Sequence, residues 1–563
     1  MSTIDWIVLI VTLAGIISYG LYKSRTTKNL DGYFLSNRTM PWYLVLLSIM
    51  GTQASAITFL STPGQAFADG MRFVQFYFGL PLAMVFICTS FVPIFHKLKV
   101  FTAYEYLETR FDVKTRTLTS FLFLLQRGLS TGISIYAPAI ILSSLMGWNI
   151  YWTNLFMGGL LIIYTVSGGA KAVAYTQQLQ LLVIFAGMFV AAYQVVHLLP
   201  AGVGFIDALK VSGELGKFNV ITTGFTENGF NWSDRYNLVN GIIGGFFLQL
   251  SYFGTDQSQV GRYLTAKSLT ESRVGLLMNG LVKIPMQFLI LLIGVLVFTF
   301  YQFNKAPLFF NQVQVEKLAQ SAYKDSLQQL QTQYNAVSEE KQQAVNKWMQ
   351  QNDTATASQL KVLNAKSEAI RSNFKGLIKE SNIGGDANDT NYVFLRFVVD
   401  YLPVGLVGLL IAVIFLAAWG SIAAALNSLA SSTVIDMHKR FSKKECTDKE
   451  DYKTSKWYTF AWGVFCVITA MFATNMGSLI EAVNVLGSVF YGVILGIFLV
   501  AFYCKQVKAN AIFYSAVITQ VGIFVLFWFS SIGFLWMNLI GAAGVVLLAL
   551  VLQSLAGKKS ATV

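Results

Sequence analysis

The stretch LLSIMGTQASAITFLSTPGQAF at residues 46–67 decides the fold class. It is long enough to cross a bilayer core, which takes about 20 apolar residues as a helix. Yet it carries Gly51, Thr52, Gln53, Ser55, Thr58, Ser61, Thr62, Pro63 and Gly64. So many hydroxyls and helix breakers predict an interrupted helix at membrane depth, where freed carbonyls line a cavity and can coordinate a cation. The same residues also suit an unbroken helix whose small side chains pack against neighbours. This span alone leaves both readings open.

The rest of the chain places that span among many others. The 563 residues are 55% apolar and 12% charged, with mean hydropathy +0.55. A water-soluble globular chain is about 25% charged, so that class is excluded, and 45 Phe with 25 Tyr exclude disorder. Cys88, Cys446, Cys466 and Cys504 show no CxxC spacing and His96, His197 and His438 are scattered, so no disulfide framework or zinc site is expected. No nucleophile–base set, metal motif or nucleotide-binding motif supports an enzyme, and no cofactor is expected.

About thirteen candidate spans follow: 4–22, 42–66, 73–95, 115–145, 150–167, 177–199, 238–261, 272–303, 402–435, 456–476, 478–503, 509–530 and 533–556. The first lacks the basic start and small-residue cleavage site of a signal peptide. Lys23, Arg25, Lys28 and Arg38 follow span one; Lys97, Lys99, Arg110, Lys114 and Arg116 follow span three. Lys171, then Arg262, Lys267 and Arg273, then Lys439, Arg440, Lys443 and Lys444, then Lys505 and Lys508, and finally Lys558 and Lys559, fall on the same side. That side is the cytoplasm by the positive-inside rule, so the N-terminus is outside and the C-terminus inside. The net charge of +13 is thus a topology signal in a lipid bilayer, not a nucleic-acid surface.

One soluble segment, 305–391, is rich in Gln, Lys, Glu, Ala and Asn, and two helical runs flank NDTATAS at 352–358. A helical hairpin with a polar turn is expected there, outside the cell. It is either a tolerated insertion, since no chemical motif lies within it, or a docking module for an unknown partner.

Inside the spans, Arg127, Asp256, Lys283 and Glu481 each need a partner or a wet cavity. Span nine, AAWGSIAAALNSLASSTVIDMHK, offers hydroxyl oxygens from Ser421 onward, which suit a hard monovalent cation.

Taken in order, DGYFLSNRTMPW (31–42), FTAYEYLETRF (101–111), IYAPAIIL (135–142), YTVSGGAKAVAYTQQLQ (164–180), GTDQSQVGRYL (254–264), YLPVGLVGLL (401–410) and LNSLASSTVIDMHK (426–439) resemble the sodium/solute symporter family, with its sodium/glucose, iodide, multivitamin and sialic-acid branches. The resemblance covers most of the chain. It implies an all-α polytopic membrane protein with a five-plus-five inverted-repeat core of the leucine-transporter type. An extra helix would occupy 1–30, the repeats 31–200 and 238–503, an extracellular loop 201–237, and two further helices 504–563.

The resemblance also implies roles. Gly51 and Ala54 match the backbone carbonyls of the main sodium site, and Ala417 and Ser421 match its other wall, where Gly420 replaces a hydroxyl residue. A second sodium site found in some members has Gln177 in place of its Asp, and Gly420, Ala423 and Ala424 in place of its serines, so one sodium per cycle is expected. The solute positions fall on Gln53, Ser55, Thr58, Phe76, Tyr77, Leu80, Gln249, Tyr252, Phe253 and Lys283. Ser130 stands where sialic-acid members carry a carboxylate-binding Arg, and Arg127 lies one turn earlier on the same face. Arg127 either contacts solute or makes a structural pair with Glu481 or Gln177. Glu481 reads as a structural counter-charge and Asp256 as a helix-end contact.

The function implied is sodium-driven import of a small polar solute by alternating access, favoured as an organic anion or carboxylated sugar. A neutral sugar or polyol comes second, and a non-transporting receptor or assembly protein third. The location would be the plasma membrane, or the inner membrane of a bacterium.

Overall fold

A computed structural model describes residues 1–24, 34–382, 386–442, 447–474 and 476–560. Arg25, Lys28, Lys443, Lys444, Cys446 and the start of DGYFLSNRTMPW lie outside the described residues. The helices in chain order are α1 (Thr3–Ser24), α2 (Trp42–Gln53), α3 (Ala56–Asp69), α4 (Leu80–Leu98), α5 (Glu105–Arg110), α6 (Val113–Met146) and α7 (Ile150–His197). Then come α8 (Phe205–Glu214), α9 (Gly245–Thr255), α10 (Gln257–Tyr263) and α11 (Leu269–Phe303). The soluble insertion holds α12 (Gln312–Ala319), α13 (Lys324–Gln351) and α14 (Thr354–Ser381). The chain ends with α15 (Val393–Tyr401), α16 (Leu406–Ser432), α17 (Asp448–Met471), α18 (Leu479–Tyr503), α19 (Ala509–Phe529) and α20 (Trp536–Ser560).

The span that opened the sequence reading is broken. Ala54 (φ −76°, ψ 80°) and Ser55 (φ −89°, ψ 173°) leave the helical region between α2 and α3. Ser55 N–H, which would reach the Gly51 carbonyl in a continuous helix, turns to the Gln53 carbonyl at 2.9 Å. Thr58 N–H likewise binds the Ser55 carbonyl at 3.0 Å rather than that of Ala54. Span seven is broken too: Asp256 (φ −77°, ψ 119°) separates α9 from α10. The two interruptions fall in the first span of each expected repeat, as the sites of discontinuous-helix transporters do.

Spans five and six both fall within α7, Ile150–His197, where two separate helices are expected. Tyr164 Oη nevertheless lies 2.9 Å from Thr176 Oγ1. Twelve residues of straight helix would separate them by about 18 Å, so the two spans stand side by side. At the centre, α16 is enclosed by protein, every residue from Leu410 to Ser432 being buried, the behaviour of a core helix rather than a lipid-facing one.

The basic loops meet on one face. Arg38 donates to the carbonyls of Lys99 and Val100 (both 3.0 Å), Arg110 to those of Cys504 and Lys505 (3.1 and 2.9 Å), and Arg440 to Glu108 (2.8 Å). The insertion sits at the opposite face on its own small core of Leu308, Phe309, Leu318, Leu327, Tyr334, Phe374 and Ile378. Its hairpin turn is shorter than expected. Asn352 takes the left-handed conformation (φ 49°) and Asp353 caps α14 by accepting Thr356 N–H at 2.7 Å, so TATAS belongs to the second helix.

Candidate binding cleft

The α2–α3 break opens onto a cleft, and the α9–α10 break lies behind its wall, where Asp256 bonds the lining residues Arg127 and Tyr491. The α2–α3 break contributes Thr52, Gln53, Ser55 and Thr58; the stretch before α4 adds Phe76 and Tyr77; α9 adds Gln249 and Tyr252; α11 adds Lys283. From α6 come Gln126, Arg127, Ser130, Thr131 and Ser134, from α16 Ser421, and from α18 Ile480, Val483, Asn484 and Tyr491. Eight of the ten expected solute positions therefore share one space; Leu80 is buried outside it, and so is one more. That one, Phe253, is fully buried and packs its ring 5.0 Å from that of Tyr252; one helical residue past Tyr252, it turns away from the cleft. Sequence reasoning missed Gln126, Thr131, Ser134, Asn484 and Tyr491. The polar stripe at 127, 130, 131 and 134 is helically spaced and was available as a signal; Tyr491, alone in the apolar run GSVFYGVILG, offered none.

Arg127 has a partner that neither structural reading named. It pairs with Asp256 and donates to Tyr491 Oη at 2.9 Å, while Tyr491 Oη donates to the same Asp256 oxygen at 2.8 Å. Its guanidinium lies 5.3 Å from the Tyr252 ring centre, within cation–π range. Asp256 does cap α10 as expected, its other oxygen accepting Ser258 N–H (2.8 Å) and Oγ (2.6 Å). Glu481 pairs instead with Arg235, and Gln177 bonds Ser48, Thr52 and Gly420. Arg127 Nε is buried with no hydrogen-bond partner among the described residues.

Lys283 differs. It is 2% exposed, its Nζ lies 5.6 Å from the Tyr77 ring centre, and among the described residues it makes no ion pair. With Arg127 paired to Asp256, Lys283 is the basic side chain of the cleft that has no acidic partner among the described residues.

The expected cation ligands lie along the same wall. Gly51 and Ala54 sit at the break, with their carbonyls released as described, while Ala417 and Ser421 are one turn apart on buried α16. Oxygen ligands of this kind suit a hard monovalent cation. Gly420, which stands where a hydroxyl residue is expected, has no side-chain oxygen, and its carbonyl accepts Gln177 Nε2 at 3.1 Å.

A family model described as the sodium:solute symporter family matches residues 33–322 and 372–519. The chain belongs to that family. The unmatched residues between the two segments, 323–371, take in α13, the turn after it and most of α14. The symporter is 24% identical over 549 residues to a sodium/sialic acid symporter of Proteus mirabilis, covering 97% of this chain and 93% of that one. It is 31% identical over 271 residues to the human sodium-coupled monocarboxylate transporter 1, covering 48% and 43%. A solved substrate-bound, outward-open sodium-coupled sialic acid symporter superposes with TM-score 0.76 at 22% identity, over 98% of both chains. The fold is thus the inverted-repeat symporter fold, and the protein is a sodium-coupled transporter rather than an enzyme.

Proposed function

We propose that this symporter imports a small organic anion, a carboxylated sugar foremost, with one sodium per cycle. The observation that carries the anion reading is the uncompensated Lys283 beside the neutralised Arg127–Asp256 pair. A buried lone charge is costly in a low-dielectric site, and a bound carboxylate removes that cost. The polar groups of Gln53, Ser55, Thr58, Gln249 and Ser130 suit the hydroxyls of a sugar acid, and Phe76, Tyr77 and Tyr252 its apolar faces. Similarity to carriers named for sialic acid and monocarboxylates supports the same class.

Sodium is held by the carbonyls of Gly51, Ala54 and Ala417 and the hydroxyl of Ser421, joining the broken span to α16. Sodium and solute then favour the same outward-facing conformer, which is what coupling requires. The carrier works in the plasma membrane, or a bacterial inner membrane, with the insertion and N-terminus outside and the C-terminus in the cytoplasm.

One sodium with one monovalent anion moves no net charge, so steady-state accumulation is independent of membrane potential. A neutral sugar carried with one sodium would gain about 2.3 kcal/mol per 100 mV. Uptake of radiolabelled sialic acid and of glucose into proteoliposomes at clamped potentials tests this. Sodium-dependent, voltage-independent sialic acid uptake, with a KM raised at least tenfold in Lys283→Met, is expected. Voltage-driven uptake of glucose alone, unaffected by Lys283→Met, would overturn the anion reading.

A further inference from the structure

Between the broken span and α16 lies a side chain that belongs to neither. Gln177, on α7, is fully buried. It occupies a slot left by two glycines: a Cβ at Gly51 would stand 2.8 Å from Gln177 Cγ, and one at Gly420 would stand 3.3 Å from Gln177 Cγ and 2.4 Å from Gln180 Oε1. No larger residue fits either position while Gln177 and Gln180 keep their places. Both faces of the amide are used. Nε2 donates to the Gly420 carbonyl (3.1 Å) and to Thr52 Oγ1 (3.4 Å), and Oε1 accepts Ser48 Oγ–H (3.1 Å). Thr52 and Gly420 are the chain neighbours of Gly51 and Ser421, which stand on opposite walls of the proposed sodium site.

From this geometry we infer that Gln177 is a positioning residue for the sodium site. Its amide spans both walls and sets their spacing. It also engages the Gly420 and Thr52 oxygens and holds them towards itself, so that the Gly51, Ala54, Ala417 and Ser421 oxygens face one ion. This rests on the sodium site proposed above. It adds that ion affinity depends on a neutral side chain that never touches the ion. The hydrogen bonds matter here more than the volume, because the groups they join are buried and a lost partner leaves a buried polar group unsatisfied.

Gln177→Leu separates the two contributions, since it fills the slot and removes all three bonds. In proteoliposome uptake driven by a sodium gradient, the sodium concentration for half-maximal rate should rise at least fivefold, while solute KM at saturating sodium stays within twofold. Ser48→Ala, which removes one of the three bonds and is the milder change should Gln177→Leu fail to fold, should raise it about twofold. Unchanged sodium half-saturation in a folded Gln177→Leu, or in Ser48→Ala if that alone folds, would overturn the inference. So would equal losses in sodium affinity, solute affinity and melting temperature, which mark a merely structural role. Either result leaves wild-type sodium dependence, and hence the proposed function, standing. Sodium-independent uptake by the wild type would overturn both.

Discussion

Two of the Arg–Asp pairs in this molecule, Arg371–Asp389 and Arg127–Asp256, have the same chemistry and opposite surroundings. In the insertion, Arg371 donates to Asp389 at 2.7 Å and to the carbonyls of Pro307 (3.2 Å) and Leu308 (3.1 Å). Asp389 also accepts Phe310 N–H at 2.9 Å and has Lys375 Nζ at 3.5 Å. That pair ties the entry and exit of the insertion to α14. In the membrane core, Arg127 shares Asp256 with one tyrosine, keeps a bare Nε, and faces the cleft. A saturated ion pair fixes a fold. An unsaturated one beside a cavity has hydrogen-bonding capacity left for a second arrangement, which a carrier that alternates between conformers needs.

Removing one partner of each pair should therefore break different things. Arg371→Met strands a buried carboxylate and should cost about 3–5 kcal/mol, seen as early proteolysis within 305–391 and a lower melting temperature. Molecules that remain folded should keep their sodium half-saturation. Arg127→Met should cut uptake at least tenfold, and the double change with Asp256→Asn should regain melting temperature without regaining uptake. If the double variant transports normally, the cleft pair is no more than a staple like its counterpart.

Acid sharpens the contrast. Burial alone would raise the Asp389 carboxyl, but Arg371 and Lys375 overcome it and hold the group below its usual value. Its contribution is present above the ordinary carboxylate range, near about 4, and is lost as pH falls through the lower folded value. Protease resistance of the insertion should persist at pH 5 and fall below pH 4. The smallest effect concerns Lys341, whose burial in the insertion lowers its ammonium to about 8. A lysine depressed in this way destabilises the fold while it must be charged, and that penalty fades as pH rises past 8. Lys341→Met should stabilise the insertion by about 1–2 kcal/mol at pH 7, with the gain shrinking by pH 10, as read by thermal melts at the two pH values.

How much of this was legible beforehand varied with the distance over which residues act. The break at Ala54–Ser55 was one of two readings of GTQASA because local breakers announce it; the break at Asp256 reads in sequence as the edge of a loop. The helical hairpin was plain from its polar periodicity, yet its turn was overestimated because threonine and serine after Asp353 look like loop and are recruited by the cap. The partner of Arg127 was missed because 129 residues separate it from Asp256, and four intramembrane charges can pair in several ways until helices are packed. Gly420 looked like a lost ligand; in three dimensions the space is taken by Gln177 and Gln180.

The most direct test of the central claim is the sodium dependence of uptake in proteoliposomes, measured for the wild type and Ser421→Ala across a full sodium titration at fixed sialic acid. A hyperbolic, first-order curve for the wild type, displaced to higher sodium in Ser421→Ala with the same maximal rate, is the predicted result. A second-order curve, or a Ser421→Ala curve that overlies the wild type, would contradict a single ion held between the broken span and α16.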